Sequence, residues 1–327
     1  MLPECLQNAI DSEVEKFQFS DIKDARAELT DRYRHSKSKS ENFITSDVQR
    51  CSYLITRMPA TYAVVYTVLK EVRKRLPNLS IQGLIDLGAG PGTVMWAACE
   101  VFPSITTINQ AEQDKQLIAL GQRLSLHSPN RVIAQSNWLQ HNLEETSSWK
   151  LPPQDLVVLS YSIGELSPKY MESAIEAAWK CTQQVLVVIE PGTPAGFERI
   201  RKIRAQLIEL GAHMVAPCPH ASKCPMADGD WCHFSQRVAR SSMHRHMKGG
   251  TLGHEDEKFS YIVVSRTPCD LPSARILRHP LKRSGHVLMT LCTKEGIKQE
   301  TISKRTSDRY KQARDAEWGD AIESSFN

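Results

Sequence analysis

The stretch Leu84-Ile85-Asp86-Leu87-Gly88-Ala89-Gly90-Pro91-Gly92-Thr93 constrains this chain more than any other. A short apolar run ends at an acid and enters three glycines at alternate positions; Val94-Met95-Trp96-Ala97-Ala98 then continues with helix-compatible residues. The pattern predicts a strand, a tight turn and a helix N-terminus. Glycine is needed where the backbone takes an unusual φ or must come close to a ligand. The first N–H groups of the helix are free to meet an anionic or polar group.

The spacing is G-x-G-x-G, which departs from the dinucleotide fingerprint G-x-G-x-x-G. It resembles motif I of class I S-adenosylmethionine (SAM) methyltransferases, whose ligand carries no pyrophosphate for the turn to cradle. That resemblance implies a pocket shaped by Asp86, Gly88, Ala89, Gly90 and Gly92. The ribose hydroxyls of such a ligand want a carboxylate after the next strand, read at 105–108. Glu112 is the expected ribose ligand and Asp114 the second candidate. The competing reading, a structural turn with no ligand, leaves the coincidence of three glycines, an upstream acid and a downstream acid unexplained.

Around this turn, residues 79 to about 212 alternate strand and helix, which argues for a parallel sheet. Strands are expected at 83–87, 105–108, 132–134, 155–160 and 185–190, and helices at 93–101, 115–126, 170–181 and 195–210. This is the order of an α/β, Rossmann-like methyltransferase fold, with ligands outside the carboxyl ends of the strands. Three more loops fall at that edge. Asn137 and Trp138 are placed against adenine, with packing an equal role for Trp138. The segment Ser160-Tyr161-Ser162-Ile163-Gly164-Glu165-Leu166 lies where substrate would sit, with Ser160 counted in the cofactor site. Glu190-Pro191-Gly192-Thr193-Pro194 closes the fifth strand. Amino-methylating enzymes often carry Asp/Asn-Pro-Pro-Tyr/Phe in the substrate loop. Leu159-Ser160-Tyr161-Ser162 has no proline pair and no obvious general base, although Glu165 is near. Cofactor binding is therefore better supported than catalysis.

Residues 1–78 read as a helical region, with apolar residues at helical spacing in 25–33 and 52–76. Pro59 splits the second stretch, and the polar run 35–40 is expected to be mobile. Arg57 and Tyr62 either pack the cap or line a cofactor or RNA face. Past residue 212 the expected fold is interrupted by a cysteine-rich insertion at 213–260. It holds Cys218, Cys224 and Cys232 at the spacing C-x5-C-x7-C, punctuated by prolines and Gly229. Three thiols in a wrapped loop suit a metal centre. The fourth ligand is open between Cys292 and Cys269, and His220 or His233 could complete a zinc site. The remaining cysteines, Cys5, Cys51, Cys99 and Cys181, sit in apolar or helical surroundings and read as small packing residues.

At 327 residues the chain suits two domains, or one with appendages. No apolar run approaches a membrane span. The net charge is only +4, but Arg275, Arg278, Lys282 and Arg283 open a basic last fifth, where short strands are expected at 274–277, 286–292 and 297–302. A basic module of this kind suggests a phosphate-rich partner. The domains are therefore read as 1–78, a helical region; 79–268, a Rossmann-like SAM-binding domain with its insertion; and 269–327, a basic C-terminal β module. The acidic N-terminus, which resembles neither a signal nor a transit peptide, gives the expectation of a bacterial cytoplasmic protein.

Together these stretches resemble the methyltransferase-like assembly factors of the mitochondrial small ribosomal subunit and their bacterial relatives, over about 31–320. The resemblance runs through Tyr53 to Tyr62, the glycine turn, Glu190 to Pro194, the three clustered cysteines, Gly285-His286-Val287, Cys292 and Trp318-Gly319-Asp320. It implies a [4Fe–4S] cluster on Cys218, Cys224, Cys232 and, as fourth ligand, Cys292, with zinc the alternative. It also implies SAM binding with methyl transfer lost. The implied partners are small-subunit rRNA and ribosomal proteins, the chain being a monomer when free and apart from membranes. Two rival functions stand beside it: an active SAM-dependent rRNA methyltransferase, and a zinc-stabilised RNA-binding protein with a degenerate SAM site.

Overall fold

Among the described residues, four helices precede the first strand: α1 (Glu4–Val14), α2 (Phe19–His35), α3 (Asp47–Thr56) and α4 (Met58–Arg75). The computed structural model describes residues 1–35, 44–146, 149–248 and 252–323; the polar run expected to be mobile lies mostly outside them. Ser46 starts α3 by accepting a hydrogen bond from the Gln49 N–H at 3.2 Å. Pro59 falls in the first turn of α4, where a missing N–H is tolerated. Leu6, Ala9, Ile10 and Val14 of α1 are buried, and the Glu13 carboxylate takes the Arg123 guanidinium through two contacts of 2.9 Å. The acidic N-terminal residues thus belong to the packed fold.

The chain then alternates: β1 (Gly83–Leu87), α5 (Thr93–Val101), β2 (Thr107–Glu112), α6 (Lys115–Ser125), α7 (Arg131–Ala134), β3 (Asn137–Gln140), β4 (Gln154–Ser160), α8 (Pro168–Lys180), β5 (Thr182–Pro191) and α9 (Pro194–Glu209). Next come β6 (His213–Ala216), β7 (Phe234–Ala239), α10 (Ser242–Lys248) and β8 (His254–Ser265). The strand order is β3-β2-β1-β4-β5-β8-β6, with β7 also on β8. Strands β1 to β5 pair in parallel, and β8 enters antiparallel beside β5. All of β1 is buried, as expected of a strand covered on both faces. Leu84, Leu156, Val185 and Val187 face the core shared with α4 and α5, while Ile85, Val157, Leu186 and Val188 face the one shared with α8 and α9.

Two sequence expectations change here. The third strand does not lie at 132–134: that segment is the short helix α7, capped by Asn130, whose Oδ1 accepts from the Val132 N–H at 2.9 Å. Three apolar residues cannot choose between helix and strand by period alone. The region 213–260 is also not wholly an insertion. Its β6 and β7 and the first part of β8 are sheet strands, β7 pairing with Phe259 and earlier residues and β6 with Val263 and later ones. The loop between β6 and β7, carrying three cysteines, is what stands outside the sheet.

A second, five-stranded sheet comprises β9 (Ala274–Ile276), β10 (Leu281–Lys282), β11 (His286–Thr293), β12 (Gly296–Ser303) and β13 (Ala321–Ile322). Along β11, Val287, Met289 and Leu291 alternate into a small core with Ile276, Ile302 and Ala313 of α11 (Ser307–Asp315), and Cys292 falls on the opposite face. Arg275 ties this sheet to the first. Its Nη2 meets Glu71 Oε1 of α4 at 2.7 Å, its Nε donates to the Pro217 carbonyl at 2.8 Å, and its Nη1 donates to the Gly319 carbonyl at 2.8 Å.

Candidate cofactor cleft and cysteine cavity

In the first sheet the chain runs outward from β1 through β2 to β3, then returns to continue through β4 and β5. The β1–β4 boundary is therefore the topological switch point, where such sheets open a ligand crevice. The glycine turn lies there. Gly88, Gly90 and Gly92 have φ of 80°, 55° and 83°, the left-handed region that side chains resist. Their surroundings differ. A Cβ on Gly88 would come within 2.3 Å of Ser162 Cβ, whereas one on Gly90 would meet nothing within 4 Å. Gly88 serves close packing of the turn on the loop after β4, and Gly90 faces open space. Ser162 Oγ donates to the Leu87 carbonyl at 2.8 Å, and the Gly88 and Ala89 N–H groups donate to the Ala111 carbonyl at 2.8 and 3.0 Å.

Glu112 ends β2 beside this turn. Its Oε2 accepts from the Gly90 N–H at 2.8 Å and its Oε1 from the Asp114 N–H at 2.9 Å, which leaves each oxygen a further lone pair. Burial raises its pKa against the pull of those N–H groups. Asp114 is engaged as the cap of α6, accepting from the Gln116 N–H at 2.7 Å. Asp86 is 1% exposed, and neither of its carboxylate oxygens has a hydrogen-bond partner among the described residues. Burial, then the nearby Glu112 charge, pushes its pKa well above the carboxylate range.

The loop after β4 faces the same cleft. Tyr161 holds φ of 59°, uncommon for a bulky residue, and its hydroxyl is buried without a partner among the described residues. Ser160 Oγ is likewise unpartnered. Glu165 is reached by solvent yet walled by protein. Desolvation, followed by the Glu112 and Glu190 charges, pushes its pKa up to about 8. Glu190 is fully buried, pairs with Arg199 at 2.6 Å and accepts from the Gly164 N–H at 3.2 Å. Tyr53, pushed up to about 12 mainly by burial, senses Glu165 and Glu112 and so brings the end of α3 to this cleft. Arg57 pairs with Glu257 at 3.3 Å. Tyr62 is buried against Tyr66, its hydroxyl donating to Glu100, in a packing role.

Asn137 and Trp138 sit inside β3 and not beyond its carboxyl end. Asn137 Nδ2 donates to Asn109 Oδ1 at 3.0 Å, and Trp138 Nε1 donates to Ser136 Oγ at 3.1 Å. The Trp138 ring lies over two glycines: a Cβ on Gly92 or Gly121 would approach it to 3.0 or 2.2 Å. The residue that leaves β3 at the cleft edge is His141, whose N–H donates to the Glu112 carbonyl at 2.9 Å. The displaced strand expectation concealed it. Tyr53 and Glu190 carried only weak signals, a tyrosine on an apolar helix and an acid at a strand end.

A separate cavity of about 40 Å³ is lined by Cys218, Cys224 and Cys232 of the loop and by Cys292 of β11. The thiols sense one another: Cys232 feels the other three, and Cys292 feels Cys218 and Cys224. Burial raises the pKa of Cys218 and Cys232, and that of Cys292 to about 12. Cys269 lies elsewhere, its Sγ donating to the Met214 carbonyl at 3.6 Å. His220 Nε2 stands 3.6 Å from Cys292 Sγ, and His233 stacks on Trp231. Arg204 is 5% exposed; its Nη2 donates to the carbonyls of His220 and Ser222 at 2.8 and 2.7 Å, and its charge acts on the Cys218 thiol. Among the described residues no three His, Cys, Asp or Glu side chains close round a single ion. The donor chemistry is that of a thiophilic centre, and guanidinium groups beside the thiols favour an anionic one.

The four cations expected to meet RNA separate. Arg275 is corrected: it is 3% exposed, with its guanidinium spent on Glu71 and two carbonyls, so it is a structural clamp. Arg278 is half-buried and pairs with Asp230 at 2.6 Å. Lys282 and Arg283 are exposed.

The mixed sheet, with its glycine turn at the switch point and its antiparallel strand beside β5, defines an α/β, Rossmann-like methyltransferase fold. Residues 47–323 match the family described as mitochondrial small ribosomal subunit Rsm22. The chain belongs to that family. Among its relatives, the human protein named ribosome assembly protein METTL17, mitochondrial, is 26% identical over 288 residues, covering 83% of this chain and 61% of that protein. Rsm22-cox11 tandem protein 2, mitochondrial, of Schizosaccharomyces pombe is 25% identical over 370 residues, covering 96% of this chain and 48% of that protein. The chain thus spans about half to three-fifths of the length of these relatives. Magnesium protoporphyrin IX methyltransferase from Synechocystis aligns at TM-score 0.41 and 12% identity, over 76% of this chain and 97% of that one, a likeness too loose to carry an argument.

The expectation of a bacterial cytoplasmic protein is corrected by this finding, since the family and these relatives are described as mitochondrial. The acidity on which it rested belongs to α1, where it serves packing and the Glu13–Arg123 pair.

Proposed function

We propose that this chain is a SAM-binding, iron–sulfur-carrying assembly factor of the mitochondrial small ribosomal subunit, acting by binding and not by methyl transfer. The observation that carries the reading is the turn at Gly88–Gly92, open above Gly90 and hooked to Glu112 at the switch point. The methionine part of SAM would lie along this turn, and its ribose hydroxyls would meet the free lone pairs of Glu112. Family membership, and the naming of METTL17 as a ribosome assembly protein, support the ribosomal half. The thiols of Cys218, Cys224, Cys232 and Cys292 would hold the cluster, tying the loop after β6 to the second sheet. Lys282 and Arg283, with Arg278 at the margin, would meet rRNA phosphates. The same reading divides the chain into a helical region at 1–78, a SAM-binding unit at 79–268 and an RNA-facing unit at 269–327, monomeric until it joins ribosomal proteins and rRNA. Calorimetry with SAM and its demethylated product, and co-sedimentation with small-subunit particles, test it. Failure to bind either ligand at millimolar concentration, or failure to sediment with the particles, overturns the corresponding half.

One observation favours a second reading, an active SAM-dependent rRNA methyltransferase. Glu165 stands in the substrate loop with a pKa of about 8, suited to accepting a proton near neutrality. Label transfer from methyl-labelled SAM to small-subunit rRNA, abolished by Glu165→Gln, would establish this reading in place of the first.

A further inference from the structure

Arg204 carries a buried charge that no carboxylate balances among the described residues. A guanidinium stays protonated in proteins, and a buried charge without a partner is strongly disfavoured. Arg204 projects from α9 into the cysteine cavity at 5% exposure. Its partners are the carbonyls of His220 and Ser222, and its Nε has none among the described residues. The other arginines lining the cavity differ. Arg275 pairs with Glu71 at 2.7 Å and Arg201 with Glu198 at 2.8 Å. The groups left to supply negative charge beside Arg204 are the four cysteines that line the same cavity. Thiolates bound to a metal centre would supply it.

We infer that Arg204 is the counter-charge of an anionic, thiolate-held centre at Cys218, and that it raises the reduction potential of that centre. The inference rests on the iron–sulfur reading proposed for these thiols. Reduction by a one-electron donor such as dithionite adds one negative charge to the centre and releases the oxidised donor. A fixed cation 16 residues from His220 in sequence, but touching its loop in space, favours the more negative state. Arg204 does not bind the metal; it is a positioning and tuning residue.

The test uses the full chain reconstituted anaerobically with iron and sulfide, as wild type, Arg204→Gln and Arg204→Lys. Iron and sulfide are counted per chain, and potentiometric titration with dithionite is followed by electron paramagnetic resonance. In Arg204→Gln the ratio of reduced to oxidised centre at a given potential should fall about tenfold, equivalent to ~59 mV for one electron. Arg204→Lys should recover most of the shift, a rescue that a purely structural clamp on two carbonyls would not produce. A loaded Arg204→Gln centre at the wild-type potential overturns the inference while leaving the cluster reading intact. Wild type that takes up no iron overturns both. If Arg204→Gln fails to load, restored loading in Arg204→Lys supports the charge role, and equal failure of Arg204→Lys refutes it.

Discussion

The Glu112 carboxylate at the end of β2 reaches across the sheet edge to Gly90, accepting its N–H at 2.8 Å. One hydrogen bond thus joins the candidate ribose ligand to the turn that would carry the rest of the same molecule. Because burial already raises the Glu112 pKa, the Gly90 and Asp114 N–H groups are what hold its carboxylate ready.

Gly90→Val should abolish SAM binding while sparing most of the fold. The position has φ of 55°, so a β-branched residue is strained there by about 1–2 kcal/mol. No protein atom would clash with the added Cβ; the side chain would fill the space the ligand needs. Calorimetry and thermal unfolding separate the two effects. A variant that binds like wild type would show that ligand does not approach Gly90.

Asp86→Asn should flatten the dependence of stability on pH. The Asp86 carboxyl has an ordinary pKa of 3.8 and is raised well above that when folded. Between those values the folded chain binds the extra proton, so this group's stabilising contribution is full below 3.8 and is lost as pH rises through the folded pKa. Asparagine cannot ionise, so the variant's stability should not fall as pH rises through the folded Asp86 pKa. A Tm series from about pH 4 to about pH 8 checks this; parallel curves for both proteins would contradict it.

Cys292→Ser should bleach anaerobically prepared protein, and Cys269→Ser should not. Cys292 lines the cavity with the loop thiols, whereas Cys269 bonds the Met214 carbonyl away from it. A thiolate-held iron–sulfur centre is coloured, so visible absorption and iron content give the answer. Loss of colour in Cys269→Ser, or stoichiometric zinc in colourless wild type, would reassign the site.

Arg275→Met and the pair Lys282→Glu with Arg283→Glu should fail in different ways. Removing the Arg275 guanidinium takes from Glu71 one of two arginine partners, Arg75 remaining at 3.1 Å, and strands two carbonyls; it should cost about 1–3 kcal/mol of stability. The double reversal should leave Tm nearly unchanged but weaken small-subunit rRNA binding. It should also flatten the log–log salt slope by about 0.7–0.9 for each phosphate that is no longer neutralised. RNA binding indifferent to salt and to the reversal would make this face a solvated surface only.

Local pattern alone was enough for the glycine turn, the strand before it and the break at Pro59. Each depends on neighbours within a few residues: φ beyond the reach of side chains, or a missing N–H. The tertiary structure decided what depends on distant partners. It moved the third strand from 132–134 to Asn137–Gln140, because a short apolar run has no period to read and its register was set by pairing with β2. Pairing also drew β6 and β7 of the supposed insertion onto β8. It turned Arg275 from a surface cation into a buried clamp, since charge in a sequence does not reveal which carbonyls and carboxylates lie 58 or 204 residues away. It brought Cys292 to the loop thiols and left Arg204 beside them with no acid among the described residues, a relation that exists only where α9, the loop after β6 and β11 meet.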